Sequence, residues 1–368
     1  MRLGSRVPSI LSHIRVAGAI AALSGLALVA CLSAAAPAED RGQAAVKLQI
    51  VGGLGGVSQY TKLEKPFWES EITRRSQGRI AAMIRPMDGG GLRPQEMLQL
   101  MRLGVVPIGT ALLSVVSGDD PELNAVDQPV LNPDMVTLRQ TVHVFRGRLR
   151  DILLARYNIE LLGIYAYPAQ VVFCSKAFTG LDDLAGRRVR TSSVSQSELM
   201  TGLGAIPVLL RFAEVAPALR DGVVDCAITG TLSGYEIGLY DYTSHVHAMA
   251  LSWGLSVFGA NVTAWKALPP ADRLVIRNGV TELENRIWKQ AETDTNRGLA
   301  CNAGTADCGV VPARPMTVVA TSQSDAQRRN QILRDVVLPR WIERCGEICM
   351  QDWNTYFAVL HGIKVGTK

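Results

Sequence analysis

From Val46 onward the chain alternates short apolar runs with amphipathic stretches, and the order repeats. Val46–Val51 reads as a strand, Gly52–Gly56 as a glycine-rich turn, and Thr61–Gln77 as a helix with Leu63, Phe67, Trp68 and Ile72 on one side. Ile80–Arg85 is the next strand, Pro94–Leu103 a helix, and Ile108–Leu113 extended. Glu160–Tyr165 and Gln170–Ser175 make two further strands, and a strand through Arg190 runs toward a loop. Ser195–Gly204 and Ala213–Asp221 are helical, and Val223–Ile228 is a strand that stops at Thr229-Gly230. Alternation of this kind predicts an α/β fold, with parallel sheets flanked by helices. Pro269 and Pro270 open a longer helical pattern over Asp272–Leu299, striped by Leu274, Ile276, Val280, Leu283, Ile287 and Trp288. At about 1.5 Å per residue it would reach roughly 40 Å, enough to lie across two lobes.

The first forty residues follow another pattern. Arg2, Arg6 and Arg15 precede an almost wholly apolar run from Val16 to Cys31, with small residues after it. That is the layout of a secretory signal, and the run is shorter than the roughly 20 residues of a membrane-spanning helix. Two processing patterns overlap. Ala36-Pro37-Ala38 before Glu39 suits ordinary signal peptidase, giving a leader of 1–38, whereas Leu28-Val29-Ala30-Cys31 resembles a lipobox, which would end the leader at 30 and lipidate Cys31. Either route places the protein outside the cytoplasm, in the periplasm.

Removing the leader changes the charge argument. The formal net charge of +5 falls by three when the leader arginines leave. The mature chain is then near neutral and carries no basic stripe with interleaved aromatics, so nucleic acid is not an expected partner. About 330 residues remain, more than one hydrophobic core usually holds, so two domains are expected. Of the six remaining cysteines, Cys174 and Cys226 lie in apolar runs and read as core thiols. Cys301, Cys308, Cys345 and Cys349 lie in polar sequence and are disulfide candidates, most simply Cys301 with Cys308 and Cys345 with Cys349, although four cysteines allow three pairings.

Enzyme motifs are scarce. The chain has no Gly-x-Ser-x-Gly, no His-Glu-x-x-His and no phosphate-cradling Gly-Lys-Ser/Thr run. His245 and His247 would share a face of a strand, but no third ligand accompanies them, so no metal is expected. Gly53-Leu54-Gly55 has the start of a dinucleotide turn, yet Ser58 occupies the third glycine position, and the run reads as a turn that lets a solute approach the backbone. No cofactor is expected.

The stretch from Leu181 is the most informative. Leu181, Asp183, Leu184, Gly186 and Arg190 form a Leu-x-Asp-Leu-x-Gly-x-x-x-Arg pattern. Gly204-Ala205-Ile206-Pro207, Glu214-Val215 and Leu219-Arg220-Asp221-Gly222-Val223-Val224-Asp225 follow it, and Trp265-Lys266-Ala267-Leu268-Pro269 precedes the long helix. In these motifs the chain resembles the DctP-type substrate-binding subunits of tripartite ATP-independent periplasmic (TRAP) transporters. The resemblance implies a two-lobed periplasmic-binding-protein-like fold of type II character, with mixed sheets flanked by helices and a long helix spanning both lobes. Lobe I would comprise 46–167 with about 256–295, lobe II 168–255 with about 296–350, and 351–368 a C-terminal tail. It further implies a non-enzymatic receptor that closes on a small organic acid and hands it to a membrane permease driven by an ion gradient.

The resemblance also gives Arg190 the role of pairing with the ligand carboxylate. A guanidinium fork suits that task, and strand alternation puts Arg188 and Arg190 on one face and Arg187 on the other. Many members carry a second arginine where this chain has Gln170, and asparagine where it has Thr229; Cys226 replaces a common glycine. One cationic anchor serves a monocarboxylate better than a C4-dicarboxylate, whose second charge would be left unpaired. Tyr60, Tyr167, Tyr235 and Trp253 fall near the same loops, which suggests an aromatic, branched or 2-oxo monoacid. The alternatives are a C4-dicarboxylate subunit, a binding protein serving a sensor, and an exported enzyme on the same scaffold.

Overall fold

A computed structural model describes residues 46–305 and 308–366, so the leader at 1–38 and Cys31 lie outside the described residues. The strands are β1 Val46–Gly52, β2 Ile80–Pro86, β3 Ile108–Leu112, β4 Ile159–Tyr165, β5 Gln170–Cys174, β6 Arg188–Thr191, β7 Ile206–Leu209, β8 Cys226–Gly230, β9 His245–His247, β10 Ser256–Asn261 and β11 Thr317–Val319. They form two mixed sheets, ordered β2-β1-β3-β10-β4 and β11-β9-β5-β8-β6-β7. β1 pairs in parallel with β2 and β3, and β6 with β7 and β8, as a β–α–β rhythm requires. The antiparallel members are β10, inserted between β3 and β4, and β5, between β8 and β9.

Several elements depart from the sequence reading for local reasons. Val223-Val224 is not the start of β8, because the chain turns at Gly222 (φ 67°) and the Val223 N–H bonds back to Ala218. β8 begins at Cys226 and carries Thr229 and Gly230 within it. Cys174 and Cys226 are not separate core thiols. They stand opposite each other in the antiparallel β5–β8 pair, with Cα atoms 4.1 Å apart, and form a disulfide. Cys301–Cys308 and Cys345–Cys349 take the simplest pairing.

The first sheet is packed on both faces. Trp68, Tyr165 and Phe258 meet Ile276, Val280 and Leu283 of the long helix Pro270–Asn302, which begins with proline in its first turn. Near its far end this helix meets the short helix Thr231–Glu236 so closely that a Cβ on Gly298 would lie 2.2 Å from the Leu232 nitrogen. A second long helix, Met135–Tyr157, is capped by Asp134, whose carboxylate accepts the Thr137 N–H at 2.8 Å. Phe145 of that helix stacks with Phe357 from the C-terminal segment, ring centroids 5.1 Å apart. The same segment reaches the other sheet's helices, because Arg344 pairs with Glu198 at 2.9 Å in the helix Val194–Gly202.

The chain also crosses between the sheets at 166–169 and 248–255, and the two crossings bond to each other. The Tyr167 N–H donates to Trp253 O at 3.2 Å, and at the first residue of β5 the Gln170 N–H donates to Ser252 O at 2.7 Å and the Leu251 N–H to Gln170 O at 2.8 Å. Buried Asp127 fixes the second crossing by accepting the N–H groups of Trp253 (2.9 Å) and Leu255 (3.3 Å). Among the described residues, no helix is long and apolar enough to cross a membrane.

Candidate functional site

A cavity of about 360 Å³ opens between the two sheets, beyond the C-terminal ends of β1, β3, β6 and β8. Ligands of open α/β sheets bind at that edge, because loops rather than ladder bonds occupy it. The first sheet contributes Leu54 from the glycine-rich loop, Leu112 at the end of β3, and Ser114 and Val115 after it; Tyr167 and Gly254 come from the crossings. The second sheet contributes Gln170, Arg190 and Thr229 from its strands, the loops Ser192–Val194 and Leu209–Phe212, and Glu214 and Ser233.

Arg190 dominates the electrostatics. The residue is only 3% exposed. Its Nε and Nη2 donate to Leu210 O at 3.0 and 2.8 Å, and Nη1 donates to Ile228 O at 2.8 Å. Carbonyls orient the fork without neutralising it, and no carboxylate among the described residues lies within ion-pair distance. Burial lowers the Arg190 pKa to about 10, with Glu214 opposing the shift, so the group is cationic at neutral pH. Its neighbours are engaged elsewhere. Arg188 forks onto Asp225 at 3.0 and 2.7 Å, and Arg187 donates to the carbonyls of Lys176 and Ala177.

The other charges of the lining cancel. Arg211 pairs with Glu214 at 3.1 Å, and Arg211, through its side chain first and then its backbone N–H, holds the Glu214 carboxyl below the ordinary range. One uncompensated cation is left in the wall. Around it, the hydroxyls of Ser114, Thr229 and Ser233 have no hydrogen-bond partner among the described residues, and Gln170 makes one long bond, Nε2 to Pro168 O at 3.3 Å. Leu54, Leu112, Val115, Val194, Leu209 and Phe212 supply apolar surface. The arrangement can take one anionic group at Arg190, share hydrogen bonds along Thr229 and Ser233, and cover a compact apolar body.

The sequence profile of the bacterial extracellular solute-binding proteins, family 7 (DctP), matches residues 57–305, well over half of the chain. The chain belongs to this family. The resemblance first carried by the motifs around Arg190 is thereby borne out. A relative among characterised proteins is the C4-dicarboxylate-binding periplasmic protein DctP of Rhodobacter capsulatus, 24% identical over 216 residues, which is 55% of this chain and 64% of that protein's length. Among solved structures, DctP7 of Bordetella pertussis, an extracytoplasmic solute receptor binding pyroglutamic acid, superposes with a TM-score of 0.75 at 21% identity, over 85% of this chain and 99% of the other. A TRAP solute-binding protein of Rhodoferax ferrireducens, in complex with benzoate, gives 0.71 at 20% identity, over 86% and 97%. At these identities the superpositions establish the two-lobed fold.

Within this family-7 fold, Arg190, Gln170, Thr229 and Tyr167 converge on the cavity. Tyr60, Tyr235 and Trp253 do not line it, because each ring packs elsewhere with its polar atom on a backbone carbonyl. Tyr60 lies in the first sheet's core with its hydroxyl 3.3 Å from Ile84 O. Tyr235 donates toward Cys308 O and Val310 O at 2.8 and 2.7 Å, and Trp253 Nε1 donates to Asn132 O at 2.9 Å. His247 is buried 3.3 Å from Asp325, and His245 bonds Ser244. The lining residues that sequence reasoning did not name include Ser192, Ser193, Phe212 and Ser233, whereas Leu54 belongs to the Gly53–Gly55 turn expected to let a solute approach. Ser192 and Ser193 had a usable signal, since they directly follow the strand that carries Arg190. Ser233 lies in the short helix that directly follows the strand carrying Thr229. Nothing in the local pattern marked Phe212.

Proposed function

We propose that this solute-binding protein captures a small monocarboxylic acid in the periplasm and delivers it to a TRAP-type membrane permease, the crossings at 166–169 and 248–255 acting as the hinge for closure. The observation that carries this reading is Arg190, a buried guanidinium held by three hydrogen bonds to carbonyls and lacking a counter-ion. A ligand carboxylate supplies the missing charge, and Thr229, Ser233 and Gln170 serve its polar substituents. With Arg211 paired to Glu214, the described lining holds no second free cation, which disfavours a dicarboxylate. Pyroglutamate and benzoate, the ligands of the two solved relatives, each carry a single carboxylate. No covalent chemistry is required, and the protein is free or, if the lipobox is used, anchored at Cys31.

A thermal-shift panel on the mature protein tests the reading, because a ligand that binds the native state must raise apparent stability. Selective shifts by pyroglutamate, benzoate or branched 2-oxo acids support it. Shifts by succinate or malate alone would replace it with the dicarboxylate reading that the Rhodobacter relative's name suggests.

A further inference from the structure

The lobe I wall of the cavity rests on a buried acid. Glu64 is fully inaccessible; its Oε2 accepts the Gly53 N–H at 2.8 Å and its Oε1 accepts Gln59 Nε2 at 2.8 Å. The next residue, Leu54, lines the cavity, and its N–H donates to the hydroxyl of Tyr167, another lining residue, at 3.2 Å. The carboxyl and the phenol converge on one backbone point. A Cβ on Gly53 would lie 2.8 Å from Glu64 Oε1 and 2.5 Å from the Tyr167 hydroxyl. Glu64 is thus separated from the cavity by a single layer of backbone.

Among the described residues no cation pairs with it; Lys62 and Lys65, beside it in the chain, are both exposed. Its hydrogen-bond donors are neutral, and the titratable groups around it are the phenols of Tyr60, Tyr165 and Tyr167, with Asp88 after β2 and, on the long helix, Glu284 and Asp294. Glu284 is paired with Arg146, and Asp294 accepts from Ser58 and Gln290. Burial accordingly raises the Glu64 pKa to about 7, against the two hydrogen bonds. Gln59 Oε1 is buried without a partner. A neutral Glu64 keeps both contacts: with the Gln59 amide turned over, Glu64 Oε1–H donates to the amide oxygen while Oε2 still accepts from Gly53, and the amide nitrogen takes the unpartnered position. The loop geometry survives in both protonation states and only the charge differs.

We propose that Glu64 is a positioning residue that shapes the Leu54 wall and takes up a proton from solvent when the cavity takes up an anion. This rests on the reading that the cavity binds an organic acid. A carboxylate on the far side of Gly53–Leu54 disfavours ionised Glu64 across a poorly screened gap, so binding shifts Glu64 toward its neutral form, and by linkage the neutral form binds the anion more tightly. Arg190 keeps its charge in both states. Affinity is then highest below pH 6 and declines by up to about fivefold by pH 8, the change that a shift of up to one pKa unit produces.

The test is calorimetric titration, at pH 6, 7 and 8 and in buffers of different ionisation heat, with whichever of pyroglutamate, benzoate or the other panel acids gives the largest thermal shift. The expected result is tighter binding at pH 6 with uptake of a fraction of a proton near pH 7. Glu64→Gln keeps an acceptor for Gly53 and stays neutral, so its affinity holds at the acid-side level across the range. Glu64→Leu loses the acceptor and binds weakly throughout. Wild-type affinity that is flat from pH 6 to 8, or a pH dependence that persists in Glu64→Gln and disappears in Asp127→Asn, overturns the proposal. If Arg190→Ala abolishes binding while the wild type is flat, only the proton claim falls. If no acid binds, or Arg190→Ala binds normally, the underlying reading falls with it.

Discussion

Arg188 and Arg190 stand two residues apart on one strand and face the same way, yet they meet opposite surroundings. Arg188 lies where β6 begins, its side chain 43% exposed and forked onto Asp225. Arg190 lies where the strand meets the cavity, buried and held by carbonyls alone. An exposed pair of this kind contributes little, whereas a buried cation without a counter-ion destabilises the fold unless a ligand completes it. Guanidinium chemistry is common to both; what separates them is that, among the described residues, Arg188 has an acid to pair with and Arg190 has none.

The largest expected effect breaks the comparison at its charged end. Arg190→Ala should weaken binding of the preferred acid by about 2–5 kcal/mol, and Arg190→Lys should recover only part of it, because an ammonium lacks the fork. Titration calorimetry of the two variants checks this, and near-normal affinity in Arg190→Ala would remove it from the site.

Lobe I offers a contrast of opposite sign, since Asp127 is a buried acid without a cation. Burial raises its pKa to about 7, with the Trp253, Leu255 and Gly254 N–H groups opposing the shift. The folded pKa lies above the unfolded one, so proton binding stabilises the fold fully below the ordinary carboxylate range, and that stability is lost as pH rises toward 7. Between pH 5 and 8 the wild type should therefore lose about 2–4 kcal/mol relative to Asp127→Asn, read by denaturant unfolding. A pH-independent difference between the two would mean that Asp127 stays ionised throughout.

Smaller effects sharpen the picture. Thr229→Ala and Ser233→Ala should each cost about 0.5–1.5 kcal/mol of binding with little change in melting temperature, as for hydroxyls that await a ligand rather than serve the fold. Arg188→Ala should change affinity by less than about 0.5 kcal/mol. A larger loss would mean that the base of β6 tunes its tip.

How much could be read from the chain follows the same division between local and distant causes. The β–α alternation, the proline start of the long helix and the place of Arg190 on the strand that reaches the cavity rest on spacing within a few residues, and they were legible. The Cys174–Cys226 bond was not, because it depends on the register between strands fifty residues apart in the chain. β10 was missed for a related reason: its antiparallel place between β3 and β4 is set by the return of the chain from the other sheet. Tyr60, Tyr235 and Trp253 lie near the right loops in sequence, but each polar tip has a backbone carbonyl of its own, and no local pattern encodes which way such a ring turns. Ser233 and Phe212 enter the cavity only once two distant loops are brought together.

Gly298 carries a mechanical consequence. Where it touches Thr231 and Leu232, the long helix and the short one rest backbone on backbone, with no flexible side chain between them to absorb displacement. The long helix is thereby seated like an axle in a close-fitting bearing. If the lobes close on a ligand as proposed, such a contact favours a swing about this axle over a slide along it, which would return the guanidinium to the same spot opposite Leu54.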